Sequence, residues 1–104
     1  MKQDLQVKNR VKEILKIVQQ VAPGNSVELR IPPYAAIQCT AGSVHRRGTP
    51  PNVVEMSGQT LIELVENPTY WDEFCRKGRI LASGTNSNLK DLFTQVSKLD
   101  SSTR

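Results

Sequence analysis

Residues 27–56 read VELRIPPYAAIQCTAGSVHRRGTPPNVVEM, and the spacing of apolar side chains in this stretch predicts several strands of one sheet. Apolar and polar side chains alternate over residues 27–31, and a period of two is typical of a strand with one buried face. The alternation resumes over residues 35–39, after two prolines that cannot donate backbone hydrogen bonds. We therefore predict two strands with a bend at Pro32 and Pro33 between them.

The second half of this stretch is richer in turn signals. An Ala-Gly-Ser turn precedes residues 44–47, which we expect to run back antiparallel to the preceding strand as a hairpin. The run at 48–52 contains two adjacent prolines, which fix φ twice and predict a rigid loop. Residues 53–56 are then a further short strand.

Helical patterns lie on both sides of these strands. Residues 7–21 carry apolar side chains at three-and-four spacing up to a Pro-Gly stop, which predicts an amphipathic first helix. Downstream, either Ser57 or Thr60 can cap a second helix, and Thr69 with Asp72 has the capping-box spacing of a third. The remaining predicted elements are a strand over 79–83, an amphipathic helix carrying Leu89, Leu92, Phe93 and Val96, and a frayed tail over 100–104.

Length and composition indicate one small domain. The chain has 104 residues, of which 38% are hydrophobic, and this is enough for one modest core. We expect a single domain over residues 1–104, with residues 1–4 and 100–104 frayed. No apolar run approaches the roughly 18 to 20 residues of a membrane helix, and the charged first segment argues against a signal peptide. A cytoplasmic location follows as an expectation.

The charges are segregated along the chain. Residues 55–75 carry five acidic side chains and no basic one, while both flanks are basic. Nucleic-acid binders combine a dense basic stripe with interleaved aromatic residues, and only five aromatic residues are present. The pattern argues against nucleic-acid binding, but either the basic first helix or the acidic segment could contact a partner protein or a second copy.

The cysteines and the histidine indicate no metal site. Cys39 and Cys75 are far apart, and the single histidine, His45, has no metal-ligand spacing to either of them. We expect no metal and no cofactor. Without a secretion signal, both thiols are interpreted as reduced, partly buried, small apolar side chains, with a disulfide or a reactive thiol as the alternatives.

The polar residues around the proline loop form the first candidate binding site. His45 and Arg47 fall on one face of the predicted strand, where Arg47 could hold a carboxylate or phosphate head group. Tyr34 and Gln38 could face them across the hairpin. The alternative is structural, with Arg47 and Asn52 bonding backbone groups beside the prolines. No nucleophile or carboxylate is placed beside His45, so we expect no enzyme activity.

The aromatic residues form the second candidate site. Trp71, Phe74 and Phe93 could line a pocket for a lipid tail, but a small protein with few aromatic residues also needs them in its core. A dry pocket of about 300 Å³ would cost on the order of 7 kcal/mol, whereas a domain is stable by only about 5 to 15 kcal/mol. A large pocket must therefore be filled by ligand, opened as a groove, or collapsed.

Two blocks, LRIPPYAAIQC at 29–39 and VHRRGTPPNVVE at 44–55, resemble the signature of the bacterial sterol-carrier-protein orthologue family. The string RGTPPN between two strands is the specific part. Further on, GRILASG at 78–84 followed by an amphipathic helix resembles the wider sterol-carrier type-two fold, and the resemblance covers residues 5–97. It implies an α+β domain with a mainly antiparallel five-stranded sheet, helices packed over it, a bacterial and cytoplasmic protein, and an apolar ligand site between sheet and helices.

These observations lead to two functional hypotheses. The first is a non-enzymatic domain that binds an apolar or amphipathic small molecule of lipid or acyl type. In that case Trp71, Phe74 and Phe93 lie near its tail, and Arg47 and His45 lie near its head group. The second is a protein-interaction or self-association module, including a homodimer, without a small ligand.

Overall fold

The computed structural model describes residues 4–41 and 52–103, which form helices and strands in the mixed order of an α+β domain. A 3₁₀ turn (Pro68–Tyr70) leads directly into the third helix. In chain order the elements are α1 (Leu5–Val21), β1 (Val27–Ile31), β2 (Ala35–Cys39), β3 (Asn52–Met56), α2 (Gly58–Glu66), α3 (Trp71–Arg76), β4 (Ile80–Ser83) and α4 (Lys90–Thr103). The predicted α+β class is confirmed.

The sheet has the strand order β2-β1-β3-β4. Pairing is antiparallel between β1 and β2 and between β3 and β4, but β1 and β3 are parallel, with Val27 opposite Asn52. The prediction of a five-stranded, mainly antiparallel sheet is not matched in detail, because the described residues form four strands with a parallel central pair. The predicted strand at 44–47 and most of the proline loop lie outside the described residues.

One face of the sheet carries the core. The alternation seen in the sequence buries Val27, Leu29 and Ile31 completely on this face, and Val54 and Met56 continue it on β3. Because successive side chains point to opposite faces, the charged residues of β1 and β3 lie on the other side. All four helices contribute buried apolar side chains to the first face.

Helix α1 forms as its apolar spacing predicts. Val11, Ile14 and Val18 are fully buried, and the Asp4 side chain caps the helix by accepting from two backbone N–H groups of the first turn. The helix ends at Val21. In the following turn, Gly24 has φ +145°, and a Cβ there would lie 2.2 Å from the Thr40 carbonyl oxygen, so only glycine fits where this turn meets the end of β2.

The structure decides between the two predicted caps of α2 and corrects the predicted capping box of α3. Ser57 caps α2, since its hydroxyl accepts from the Thr60 backbone N–H at 3.0 Å, and Thr60 is already inside the helix. The Thr69 and Asp72 box does not form. Thr69 belongs to the 3₁₀ turn, where its own N–H donates to the Asn67 side chain. The α3 N-cap, Tyr70, makes no side-chain cap bond.

The last helix is longer than predicted. The tail expected to fray from Asp100 is helical through Thr103, and Asp100 is buried. The reason is an ion pair with α1, in which the Arg10 guanidinium donates two hydrogen bonds to the Asp100 carboxylate, at 2.8 and 2.7 Å. Arg10 also contacts Glu13. Of the helices in the described part of the chain, none has the length and apolar character needed to cross a membrane.

Candidate functional site

The aromatic residues predicted to line an apolar site lie between the helices and the sheet. Trp71 on α3 stacks on Phe93 of α4, with ring centroids 6.2 Å apart and 25° between the planes. Trp71 and Phe74 are each 3% exposed, and Phe93 is fully buried. The structure therefore brings all three into one core, which confirms the interpretation of these residues as core packing.

This interior is filled with side chains. The sheet residues that face the aromatic cluster, Val27 and Leu29, are fully buried, and Ile37 packs against the same core while partly exposed. Four grooves on the protein surface are lined by residues other than these sheet residues and the three aromatic side chains. Among the residues that the structure describes, this interior is packed with side chains and does not open as one of these grooves.

Asn52 is a structural clasp at the end of the proline loop. It is 2% exposed, and its Nδ2 donates to the Ser26 carbonyl oxygen at 3.0 Å. Its Oδ1 accepts from the backbone N–H of Asn86 at 2.9 Å. One side chain thus joins the starts of β1 and β3 to the loop after β4, with backbone partners other than the groups beside the prolines that the sequence suggested. Both kinds of polar atom in its amide are engaged.

Of the other predicted polar residues, the two that the structure describes, Tyr34 and Gln38, lie in different surroundings. The hydroxyl of Tyr34 accepts from the backbone N–H of Asp4 at 3.3 Å, and its ring lies beside Gly58, where an added Cβ would be 3.0 Å away. Tyr34 therefore packs where α1 and α2 begin. Gln38 is exposed and pairs in register with Glu28 on the opposite face of the sheet. His45 and Arg47 lie outside the described residues.

Sequence reasoning missed a polar cluster that holds β4 to α2. The Arg79 guanidinium donates to both oxygens of Glu63, at 3.3 and 2.9 Å, and its Nε donates to the Thr60 hydroxyl at 3.2 Å. It also lies 4.1 Å above the center of the Phe74 ring. The hydrogen bonds from Arg79, and then from Gln59, lower the pKa of Glu63. The sequence did contain a sign of this cluster, because the acidic segment over 55–75 is followed directly by basic residues.

The same arrangement accounts for most of the acidic segment. Asp72 accepts from Lys90 at 2.8 Å and Glu73 accepts from Lys77 at 3.2 Å, so these acids pair within the domain. The base in each pair, Lys77 or Lys90, follows the acidic segment in the sequence. These pairs neutralise part of the negative charge of the segment over 55–75.

On the second face of the sheet, the strand side chains that the structure describes are all at least partly exposed. This face carries the ion pair between Glu28 and Arg30, together with Val53, Glu55 and the exposed Leu81. A groove of about 430 Å³ follows β4, and a second of about 340 Å³ lies at the proline bend, whose Pro32–Pro33 peptide is cis. Glu55 lines both grooves.

With this geometry established, the chain can be compared with known proteins. The family described as bacterial SCP ortholog matches residues 3–94. The chain belongs to the bacterial SCP ortholog family. This is the family that the blocks at 29–39 and 44–55 resemble, so that resemblance is confirmed. No curated protein matches the chain.

In this member of the family, Asn52 is the described end of the signature string RGTPPN. Its contacts explain why a polar residue follows the two prolines. The prolines donate no backbone hydrogen bond, and the amide of Asn52 supplies both a donor and an acceptor where three segments meet. At this position the signature serves the fold.

The thiols are free, as predicted. Burial raises the pKa of Cys39 to about 11, and burial, followed by the nearby charge of Asp72, raises the pKa of Cys75. A raised pKa keeps each thiol protonated at neutral pH, and a protonated thiol is a poor nucleophile. Among the residues that the structure describes, no three His, Cys, Asp or Glu side chains are grouped to hold a metal ion.

Proposed function

We propose that this member of the bacterial SCP ortholog family binds an apolar or amphipathic small molecule, of lipid or acyl type, between α4 and the sheet, without catalysing a reaction. Family membership supports the carrier type of function. The observation that carries the proposal is the stacked pair of Trp71 and Phe93, because it lies in an apolar interior bounded by one sheet face and a helix.

The ligand would enter this interior at the N-terminal end of α4. Here the helix is tied to α3 by the pair of Lys90 and Asp72, whose side chains are 42% and 64% exposed. An exposed ion pair contributes little to stability, because water screens its charges. At its other end α4 is held by the two hydrogen bonds between Arg10 and the buried Asp100. At the end that covers Trp71 the polar contact is therefore weak, and burial of Leu89 and Phe93 holds the helix in place.

The closed interior determines how binding proceeds. A ligand must separate Phe93 from Trp71 and occupy the space it opens, so the apparent affinity falls by the fraction of molecules that are open. A variant that weakens the Lys90 end should raise that fraction. Lys90→Glu places two acids face to face, and Lys98→Glu makes the same charge change elsewhere on α4, where the side chain is exposed.

The test is a panel of fatty acids and lysophospholipids of graded chain length, read by melting temperature and by fluorescence of Trp71, the single tryptophan. A ligand with a dissociation constant near 1 μM, supplied at about 100 μM, should stabilise the fold by roughly 2.7 kcal/mol. For a domain of this size that is a shift of about 4 to 8 °C. Association should be faster in Lys90→Glu than in Lys98→Glu.

A contrary result has three parts. The melting temperature would move by no more than about 1 °C, well under the shift expected at saturation. The fluorescence of Trp71 would stay unchanged across the panel. Native mass spectrometry of protein purified from its own host would show no retained small molecule. Together these outcomes would refute the carrier proposal.

A further inference from the structure

The edge of the sheet at β4 is uncovered. In the described part of the chain β4 pairs with β3 alone, and Leu81, Ala82 and Ser83 are exposed. An edge strand presents unpaired N–H and C=O groups, which proteins normally protect with charged residues, prolines or bulges. The sequence of β4, ILAS, has neither a charge nor a proline. Of the usual protections against pairing with another strand, β4 has only its short length of four residues.

Both sides of this edge are open as well. Leu81 points to the second face and is 59% exposed. Ala82 points to the helical face, yet it is exposed too, although the preceding Ile80 is buried. The groove of about 430 Å³ follows the edge and is lined by residues from both faces, among them Cys75, Ala82 and Leu81.

A carboxylate lies in this groove. Glu55 is opposite Leu81 in the register of β3 and β4, and it is partly buried. Among the described residues, no side chain or backbone group donates a hydrogen bond to the carboxylate of Glu55. Its electrostatic contact is with Arg30, whose Nε donates to Glu28 instead. The groove therefore has apolar walls and one carboxylate, that of Glu55. A Lys or Arg side chain, with its apolar stem and its positive charge, would complement both.

We propose that β4 receives an extended segment of a partner protein, which adds a strand to the sheet and places a Lys or Arg side chain over Leu81 to meet Glu55. Main-chain hydrogen bonds along the edge would provide affinity, and alternate side chains would provide specificity. The added strand would lie two strand spacings, about 10 Å, from β3, a distance that a long basic side chain crosses while its stem packs on Leu81. This site does not use the interior between helices and sheet.

A second copy of the chain is the less suitable occupant. Its own β4 would bring only Ile, Leu, Ala and Ser to the edge and would add no cation for Glu55. The nearest base in sequence, Arg79, already donates to Glu63 and Thr60. Pairing two strands of four residues would also bury far less than the roughly 1,200 to 2,000 Å² of a stable interface.

The experiment selects displayed linear peptides of random sequence on the intact chain and measures the affinity of the enriched peptides by fluorescence polarisation. We expect peptides with a Lys or Arg between alternating apolar residues. Glu55→Gln should weaken them about tenfold, as expected for loss of a hydrogen bond to a charged group, and Glu66→Gln, an exposed acid on α2, should not. Leu81→Lys should abolish binding, and Leu5→Lys, at a leucine that is 67% exposed, should retain it.

Hydrogen exchange gives an independent reading, because an added strand should protect backbone amides of β4. Three results would overturn the proposal. They are a failure to enrich peptides, enriched peptides that bind Leu81→Lys as well as the parent, and a concentration-dependent dimer that Leu81→Lys disrupts. The last result would assign the edge to a second copy.

Discussion

At the scale of single residues, burial controls the chemistry of Cys39. Its thiol has no exposed surface, and the pKa is raised to about 11. In the unfolded chain the thiol ionises near its ordinary pKa, so between about pH 9 and pH 11 the unfolded state binds fewer protons than the folded state. The free energy of unfolding should therefore fall as pH rises through this range.

The measurement compares the alkaline stability of the parent with Cys39→Ala and Cys75→Ala. The parent should lose on the order of 2 kcal/mol more than Cys39→Ala over the same range. Cys75→Ala should lose less than the parent, because the pKa of Cys75 is also raised, but more than Cys39→Ala, because Cys75 is less buried. The thiol of Cys39 should also resist alkylation under native conditions until the protein unfolds. Rapid labelling of native Cys39 would contradict its burial.

Asn52, the described end of the signature string RGTPPN, stabilises the fold through the two hydrogen bonds of its side chain amide. Replacing it by alanine leaves the Ser26 carbonyl and the Asn86 N–H without their partner. Asn52→Ala should lower the free energy of unfolding by about 1 to 3 kcal/mol, measured by urea denaturation. Asn25→Ala, an exposed asparagine in the turn before β1, is the control and should change stability little. Equal stability of the two variants would refute the clasp.

At the scale of elements, the contact between the first and last helices depends on one ion pair. Arg10 donates two hydrogen bonds to Asp100, and both side chains are largely buried. Removing one partner leaves the other charge buried and unpaired, which costs about 3 kcal/mol or more in buried pairs. This pair keeps α4 helical beyond the point where its apolar stripe ends.

Arg10→Met keeps the apolar stem and removes the charge, so it should destabilise the fold by about 3 kcal/mol. It should also increase hydrogen exchange in the last turn of α4. Lys12→Met, at an exposed position on the same helix, should stay within about 0.5 kcal/mol of the parent. If both variants behave alike, the ion pair does not hold the two helices.

At the scale of the whole molecule, stability depends on a single apolar core with one large aromatic side chain at its center. Phe93 is the largest fully buried side chain, and it contacts Trp71 across the α3 and α4 boundary. A domain is stable by only about 5 to 15 kcal/mol, so one cavity in this core removes a large part of the total.

Phe93→Ala should lower the free energy of unfolding by about 3 to 5 kcal/mol. Tyr70→Ala, which removes an aromatic ring that is 41% exposed, should lower it much less, because that ring already contacts water. Chemical denaturation at matched protein concentration measures both. A smaller loss in Phe93→Ala than in Tyr70→Ala would mean that the core closes over the missing ring.

Local patterns in the sequence predicted the elements well. The bounds of α1, β1 and β2 follow from the spacing of apolar residues and from the stops at Pro23 and Pro32, because helix and strand periods are properties of neighbouring residues. Burial of Trp71 and Phe74 was predicted by the same reasoning, since few other residues could fill the core.

Reasoning from the sequence could therefore predict the α+β class, most of the helices and strands, the burial of the core aromatic residues and the family. The tertiary structure alone decided the parallel pairing of β1 and β3, the separation of Tyr34 from Gln38 and the open edge at β4. It also decided the partner of Asp100, which lies 90 positions away in the chain. Periodicity is local, whereas strand order and ion pairs depend on residues that meet only after the chain has folded.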